Sequence, residues 1–221
     1  MMKQMKKLLP VTGAAALAFT ALATPIAAQA EVSSSAAIAS MYLWRGQDIS
    51  DHKPAMSGDI TYSHDSGAYA SLWVSSEGTA GQSYEADVTI GYSGSAGDIG
   101  YDVGVYKIWY PETEQKFHEA GVETYVDISY MDYGFKAYVD TKGDKDYSYY
   151  TLYGGYEKFS ALIGMNDADD DSGDYKHFDI SYAATDSLSF TYSKVFSRDD
   201  ASTLATEPLI MLSYSIPVDM K

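Results

Sequence analysis

SYEADVTIGY, residues 83–92, puts Tyr84, Ala86, Val88, Ile90 and Tyr92 at one parity and Ser83, Glu85, Asp87, Thr89 and Gly91 at the other. Successive side chains of a strand point to opposite faces, so this stretch reads as a strand with one oily and one wet side. The same alternation returns at 56–63, MSGDITYS, where Met56, Gly58, Ile60 and Tyr62 oppose Ser57, Asp59, Thr61 and Ser63. Working outward, the pattern predicts strands near 35–45, 55–63, 67–76, 83–93, 99–110, 117–130, 133–141, 147–157, 159–166, 175–184, 188–197 and 207–216. These make twelve; ten or fourteen also fit.

The connections sharpen the reading. Short turns at 64–67, 93–98, 131–132, 157–158 and 185–187 alternate with longer polar segments: RGQDISDHKP, SEGTAGQ, PETEQK, TKGDKD, NDADDDSGD and SRDDASTLAT. Short turns at one rim and long loops at the other, with both termini on the short-turn side, describe an all-β, antiparallel up-and-down transmembrane β-barrel. Tyr62, Tyr92, Tyr130, Tyr156 and Tyr182 each sit just before a short turn at the oily parity, where an interfacial girdle belongs. Tyr84, Trp109, Tyr110, Phe117 and Tyr147 fall near the opposite rim. The competing architecture is a soluble barrel or sandwich with the oily parity turned to a core.

The start of the chain reads as a secretory signal. Lys3, Lys6 and Lys7 precede an apolar run from about Leu8 to Ala23, which closes on Ala28, Gln29 and Ala30, a small-residue cleavage site. Residues 1–30 are thus expected to be removed after Ala30, leaving 31–221 as one outer-membrane domain that begins at Glu31. Loss of three lysines takes the net charge from −16 to −19. So acidic a chain does not suit nucleic acid or an anionic inner leaflet. There is no cysteine, which excludes disulfide staples and thiol chemistry.

SMYLWRGQDISDHKPAMSGDITYSHDSGAYASLWVSS, residues 40–76, resembles the opening block of the TorF-like porins, the Gcw_chp family of proteobacterial proteins. The resemblance rests on Tyr42, Trp44, Arg45, Gly46, Lys53, Pro54, Ala55, Tyr62, Ser63, Ser66, Gly67 and Tyr69. YEADVTIGYSGSAGDIGYDVGVYKIWYP is similar to the family's next hairpin, and Phe117, His118 and Glu119 match a further position. The resemblance spans nearly the whole mature chain. It implies an outer-membrane location and a channel role. One departure is the C-terminus, where LSYSI is followed by Pro217, Val218, Asp219, Met220 and Lys221 rather than closing near an aromatic.

With the oily parity toward lipid, the lumen is expected to receive Asp59, Glu85, Asp87, Asp102, Glu119, Glu123, Asp127, Asp140 and Asp179 against Arg45 and Lys136. Tyr106, Tyr125 and Tyr138 are placed to constrict it. Arg45 is read at the wet parity of the first strand. The bland alternative is that these acids are ordinary water-facing residues. Lys107 breaks the pattern by sharing parity with Val103 and Val105, so it either snorkels at a rim or marks a bulge.

Asp167, Asp169 and Asp171 before Gly173 resemble the start of a calcium loop, but Phe178 stands where its bidentate Glu belongs, so a solvated acidic loop is the stronger reading. His52, His64, His118 and His177 accompany no nucleophile motif, although His118–Glu119 and His177–Asp179 are possible dyads. The function expected is a porin-like channel for passive diffusion of small neutral or cationic solutes through a narrow acidic lumen. It would need no cofactor and would have as partners outer-membrane lipid and lipopolysaccharide, the solutes and the barrel-assembly machinery. A structural or adhesive barrel is the alternative, and an outer-membrane enzyme a more distant one. The sequence leaves open whether the lumen is open or filled by a loop.

Overall fold

The computed structural model describes residues 31–79, 82–114, 116–142, 147–168, 173–200, 202 and 204–218, and side chains within the strands except at 77–79, 82–83 and 142. Twelve antiparallel strands close into one barrel. In chain order they are β1 (Glu31–Ala39), β4 (Ala55–Ser63), β5 (Ala68–Thr79), β6 (Gln82–Ala96), β7 (Ile99–Trp109), β8 (Gly121–Tyr130), β9 (Tyr133–Lys142), β10 (Tyr147–Tyr156), β11 (Phe159–Ala168), β12 (Tyr175–Ala183), β13 (Leu188–Arg198) and β14 (Leu209–Ile216). Each strand pairs with the one before and after it, and β1 closes the ring against β14 through Ala36–Ile216 to Ala39–Ser213. Closure leaves no unpaired edge. Two further short strands, β2 (Leu43–Trp44) and β3 (Gln47–Asp48), form a separate hairpin.

The polarity is that of a barrel turned inside out. Ile90 (62% exposed), Leu152 (62%), Ile163 (56%) and Ile210 (67%) point outward, with Ile60, Leu72, Val103, Val105, Ile128 and Ile180 beside them. Glu85, Asp102, Glu123, Asp127 and Lys136 point inward and are buried, with Ser71, Thr89, Thr191 and Ser213. Period-two alternation in every strand produces both faces at once. At the short-turn rim the outer surface carries Tyr62, Tyr92, Tyr130, Tyr133, Tyr156, Phe159, Tyr182 and Tyr214, all exposed.

Three expectations need correction. The first strand stops at Ala39 instead of continuing to residue 45, because the chain turns inward at Ser40. Strand β8 starts at Gly121; Phe117–Glu119 form a 3-10 turn closed by Lys116 N donating to Glu119 Oε2 (3.0 Å). SEGTAGQ is mostly strand, since β5 runs to Thr79 and β6 resumes at Gln82, leaving two residues between them. Lys107 is no bulge, for β7 pairs in regular register with both neighbours. Its Nζ instead lies 4.6 Å over the Phe117 ring, which meets Trp109 edge-on.

Candidate functional site

The interior is occupied by residues 41–50 of the chain between β1 and β4, while residues 51–54 lie exposed before β4 begins. The apolar side chains of 41–50 pack against apolar side chains of the wall on two sides. Met41 and Leu43 join Ala39 and Met211 on one side, and Tyr42 joins Ala55 and Trp73 on the other, with Trp44 and Ile49 against them. The segment is internally tied: Ile49 N donates to Tyr42 O (3.0 Å), Tyr42 N to Ser50 Oγ (2.8 Å), and Asp48 accepts from the backbone of Ser50 and His52. It is a preformed plug, held by its own hydrogen bonds and by apolar burial.

The tip of the plug is the two-residue turn Arg45–Gly46 between β2 and β3. Both residues have positive φ, +48° and +80°, as a type I′ hairpin requires. Gly46 also sits where a Cβ would lie 2.5 Å from His177 Cγ, so only glycine fits against the β12 wall. Arg45 is an unfavoured residue in this backbone, costing on the order of 1–3 kcal/mol. The contacts of its side chain offset that cost.

The Arg45 guanidinium crosses the lumen to the wall opposite β1. Its Nη2 lies 2.6 Å from Glu123 Oε2 on β8 and 3.1 Å from Tyr106 Oη on β7. Its Cζ lies over the rings of Trp44 (4.4 Å), Tyr138 (4.8 Å), Tyr147 (5.4 Å) and Tyr149 (4.4 Å). Burial disfavours the charge on Arg45, but Glu123 and the nearby phenols more than offset it, so the proton is held more tightly than on a free arginine. Glu123 also accepts hydrogen bonds from the Tyr106 and Tyr147 hydroxyls. Beside this cluster Gln47 Nε2 donates to Tyr175 Oη (2.7 Å). His177, fully buried, bonds through Nε2 to Tyr149 Oη (2.6 Å) and through Nδ1 to Asp179 Oδ1 (3.1 Å).

A second layer lies nearer the short-turn rim. Asp127 faces Lys136 at 3.5 Å and accepts from Tyr153 Oη (2.8 Å). Asp102 accepts from Tyr69 Oη (2.8 Å) and Tyr125 Oη (3.3 Å). Lys136 Nζ lies over the Tyr125 ring at 5.2 Å and the Tyr138 ring at 5.5 Å. Tyrosines can lie flat here because glycines face them across the sheet: Gly91 opposite Tyr69, Gly104 opposite Tyr125, Gly134 opposite Tyr153. Phenols thus supply donors that the two lumen cations cannot.

Of the residues expected inside, Glu85, Asp102, Glu123, Asp127 and Lys136 line the wall and are buried. Glu85 takes hydrogen bonds from Tyr42 Oη (3.1 Å) and Tyr110 Oη (3.0 Å). Asp87 is half-buried on the same face, and Asp59 bonds Ser35 and Thr61 near β1. Arg45 is inside, but from the plug and not from β1. Glu119 does not join them: it lies exposed on the 3-10 turn, 3.6 Å from His118 Nε2. Asp167 is exposed at the end of β11, while Asp169 and Asp171 lie outside the described residues, as do residues 1–30. Among the described residues no three His, Asp or Glu gather as a metal site.

Sequence reading named the His177–Asp179 pair but missed Tyr149, which joins it, and the box that Tyr147 and Tyr149 make around Arg45. Glu123 and His177 keep the inward parity of Asp127 and Asp179, and the two register shifts place their extra residues on the partner strands, Thr141 of β9 and Phe196 of β13. The Arg45–Gly46 pair was the one available signal, since a residue followed by Gly between two extended dipeptides is hairpin-turn chemistry.

A family model for bacterial proteins of unknown function, Gcw_chp, matches residues 23–205, most of the chain. The chain belongs to the Gcw_chp family. No curated protein and no solved structure matches it. Within this Gcw_chp chain the matched span takes in the plug and the wall from β1 to β13, so both layers of the lumen lie inside the family region.

Proposed function

We propose that this Gcw_chp protein is an outer-membrane barrel that gives small solutes a narrow, plugged passage, as its resemblance to TorF-like porins implies. The observation that carries the reading is the inversion of polarity: an apolar belt outside and buried carboxylates, cations and phenols inside. Such an exterior would be an aggregation surface in water and is the surface a bilayer covers. On this reading residues 1–30 direct export and are removed after Ala30. The belt then meets lipid and lipopolysaccharide, β14 is presented to the barrel-assembly machinery, and the role is non-enzymatic.

A second reading, a structural or adhesive barrel that passes nothing, is favoured by the completeness of the plug's contacts with the far wall. Planar-bilayer recordings separate the two. The channel reading expects small, discrete conductance from the wild type and larger conductance when residues 41–53 are replaced by a short Gly/Ser link. A silent wild type together with a silent plug deletion, both folded, would overturn it.

A further inference from the structure

We propose that the wall around the Arg45 guanidinium is a binding site for a free organic cation of the guanidinium class, and that Arg45 is its tethered occupant. The proposal rests on the reading of the lumen as a passage, because the free cation must reach the site from one mouth.

The site belongs to the wall and not to the plug. Tyr106 (β7), Glu123 (β8), Tyr138 (β9), Tyr147 and Tyr149 (β10) stay in place if the plug withdraws; only Trp44 leaves with it. Three ring faces, one carboxylate and one phenol are the elements that recognise a flat, delocalised cation: quadrupoles for the face, a charged acceptor for the edge and a second hydrogen-bonding partner. An ammonium would use the carboxylate but gain less from the rings. With the plug docked Glu123 is 2% exposed, and its carboxylate is the charged partner for whichever cation fills the box.

The tethered occupant fits imperfectly. Its backbone is strained at φ +48°, and its Nη1 is buried without a hydrogen-bond partner. A buried unpaired donor weakens the contact that carries it. A free guanidinium compound has no backbone to strain and can rotate to use all its donors. It therefore competes for the same box, and its binding and the docking of the plug are mutually exclusive.

The test uses the full-length mature barrel refolded in detergent, with methylguanidinium as probe and urea as its neutral isostere, both at millimolar concentration. In Arg45→Ala, methylguanidinium should raise the unfolding temperature saturably, urea should not, and Arg45→Ala/Glu123→Gln should show no response. The wild type should respond only at concentrations about tenfold or more higher, because the tether gives Arg45 a millimolar-scale effective concentration. An equal response to urea, or one that survives Glu123→Gln, overturns the proposal.

If Arg45→Ala does not refold, the wild type still decides. Bound methylguanidinium should speed chymotryptic cleavage after Tyr42 or Trp44 as the plug is displaced, and no acceleration over urea overturns the proposal. Neither readout needs conductance. A barrel that binds but never conducts loses the channel reading and keeps the site; one that conducts without binding loses the site alone.

Discussion

Arg45 and Glu123 form an ion pair across the barrel, Nη2 to Oε2 at 2.6 Å, with side chains 6% and 2% exposed. One comes from a turn 78 residues earlier in the chain than the other, so the pair joins the plug to the far wall. Removing either partner strands a buried charge. Arg45→Ala and Glu123→Gln should each destabilise the barrel by about 3–5 kcal/mol, while Arg45→Met/Glu123→Gln should cost clearly less than their sum. Urea titrations of the refolded barrel measure this; additive costs would show that the pair is not coupled.

The turn behind that pair should be intolerant. Gly46→Ala places a methyl at positive φ and against His177 Cγ, so the tip must lift from β12. A loss of about 1–3 kcal/mol is expected. Faster chymotryptic cleavage after Trp44 should accompany it, whereas Gly97→Ala, where a Cβ meets nothing within 4 Å, should leave that cleavage unchanged.

The outer face should respond to a bilayer. Ile90→Arg and Leu152→Arg place charge on the belt and should cost about 2–4 kcal/mol near mid-membrane depth. Ile90→Leu should be nearly neutral. Unfolding measured in lipid vesicles checks this, and an equal tolerance of Arg and Leu at both positions would argue against a lipid-facing belt.

Most of the wall was legible because one face of each strand is oily and the other wet, and a period of two is visible in a single sequence. That rule places Ile60, Val88 and Ile128 opposite Asp59, Thr89 and Asp127 without any knowledge of partners. It fails where extended chain is not wall. Met41, Tyr42, Leu43 and Trp44 read as the end of a strand, but they are apolar at both parities, and Met41, Tyr42 and Leu43 are all buried because the segment lies inside the barrel. Glu119 continues the parity of Gly121 and Glu123, yet the Lys116–Glu119 hydrogen bond closes a 3-10 turn before β8 begins. The alternation also says nothing about how full the lumen is. Thr89 is on the wet face as expected but only 1% exposed, so an arginine there would overpack the interior instead of being tolerated by water.

Ion preference follows from which of these side chains touch the passage. Among the described residues Glu85, Asp102, Glu123 and Asp127 are buried facing inward against Arg45 and Lys136, an excess of two acids in the buried layers. Phenols donate to Glu85 and Asp102. A hydrogen bond from a neutral hydroxyl satisfies a carboxylate without cancelling its field, so any path beside these groups remains negative. Conducting barrels should therefore prefer cations, and Arg45→Ala should strengthen the preference by releasing Glu123 from its counter-charge. The Debye length is about 8 Å at physiological salt and about 3 Å at 1 M, so the preference should fade toward molar salt. Glu85→Gln/Glu123→Gln should shift the reversal potential toward zero, whereas Glu119→Gln, on the exposed 3-10 turn, should leave it where it was. Reversal potentials under a salt gradient test all three variants. A shift with Glu119→Gln equal to that of the lumen pair would place the selecting charges in the loops at the mouth and not in the tyrosine-lined layers.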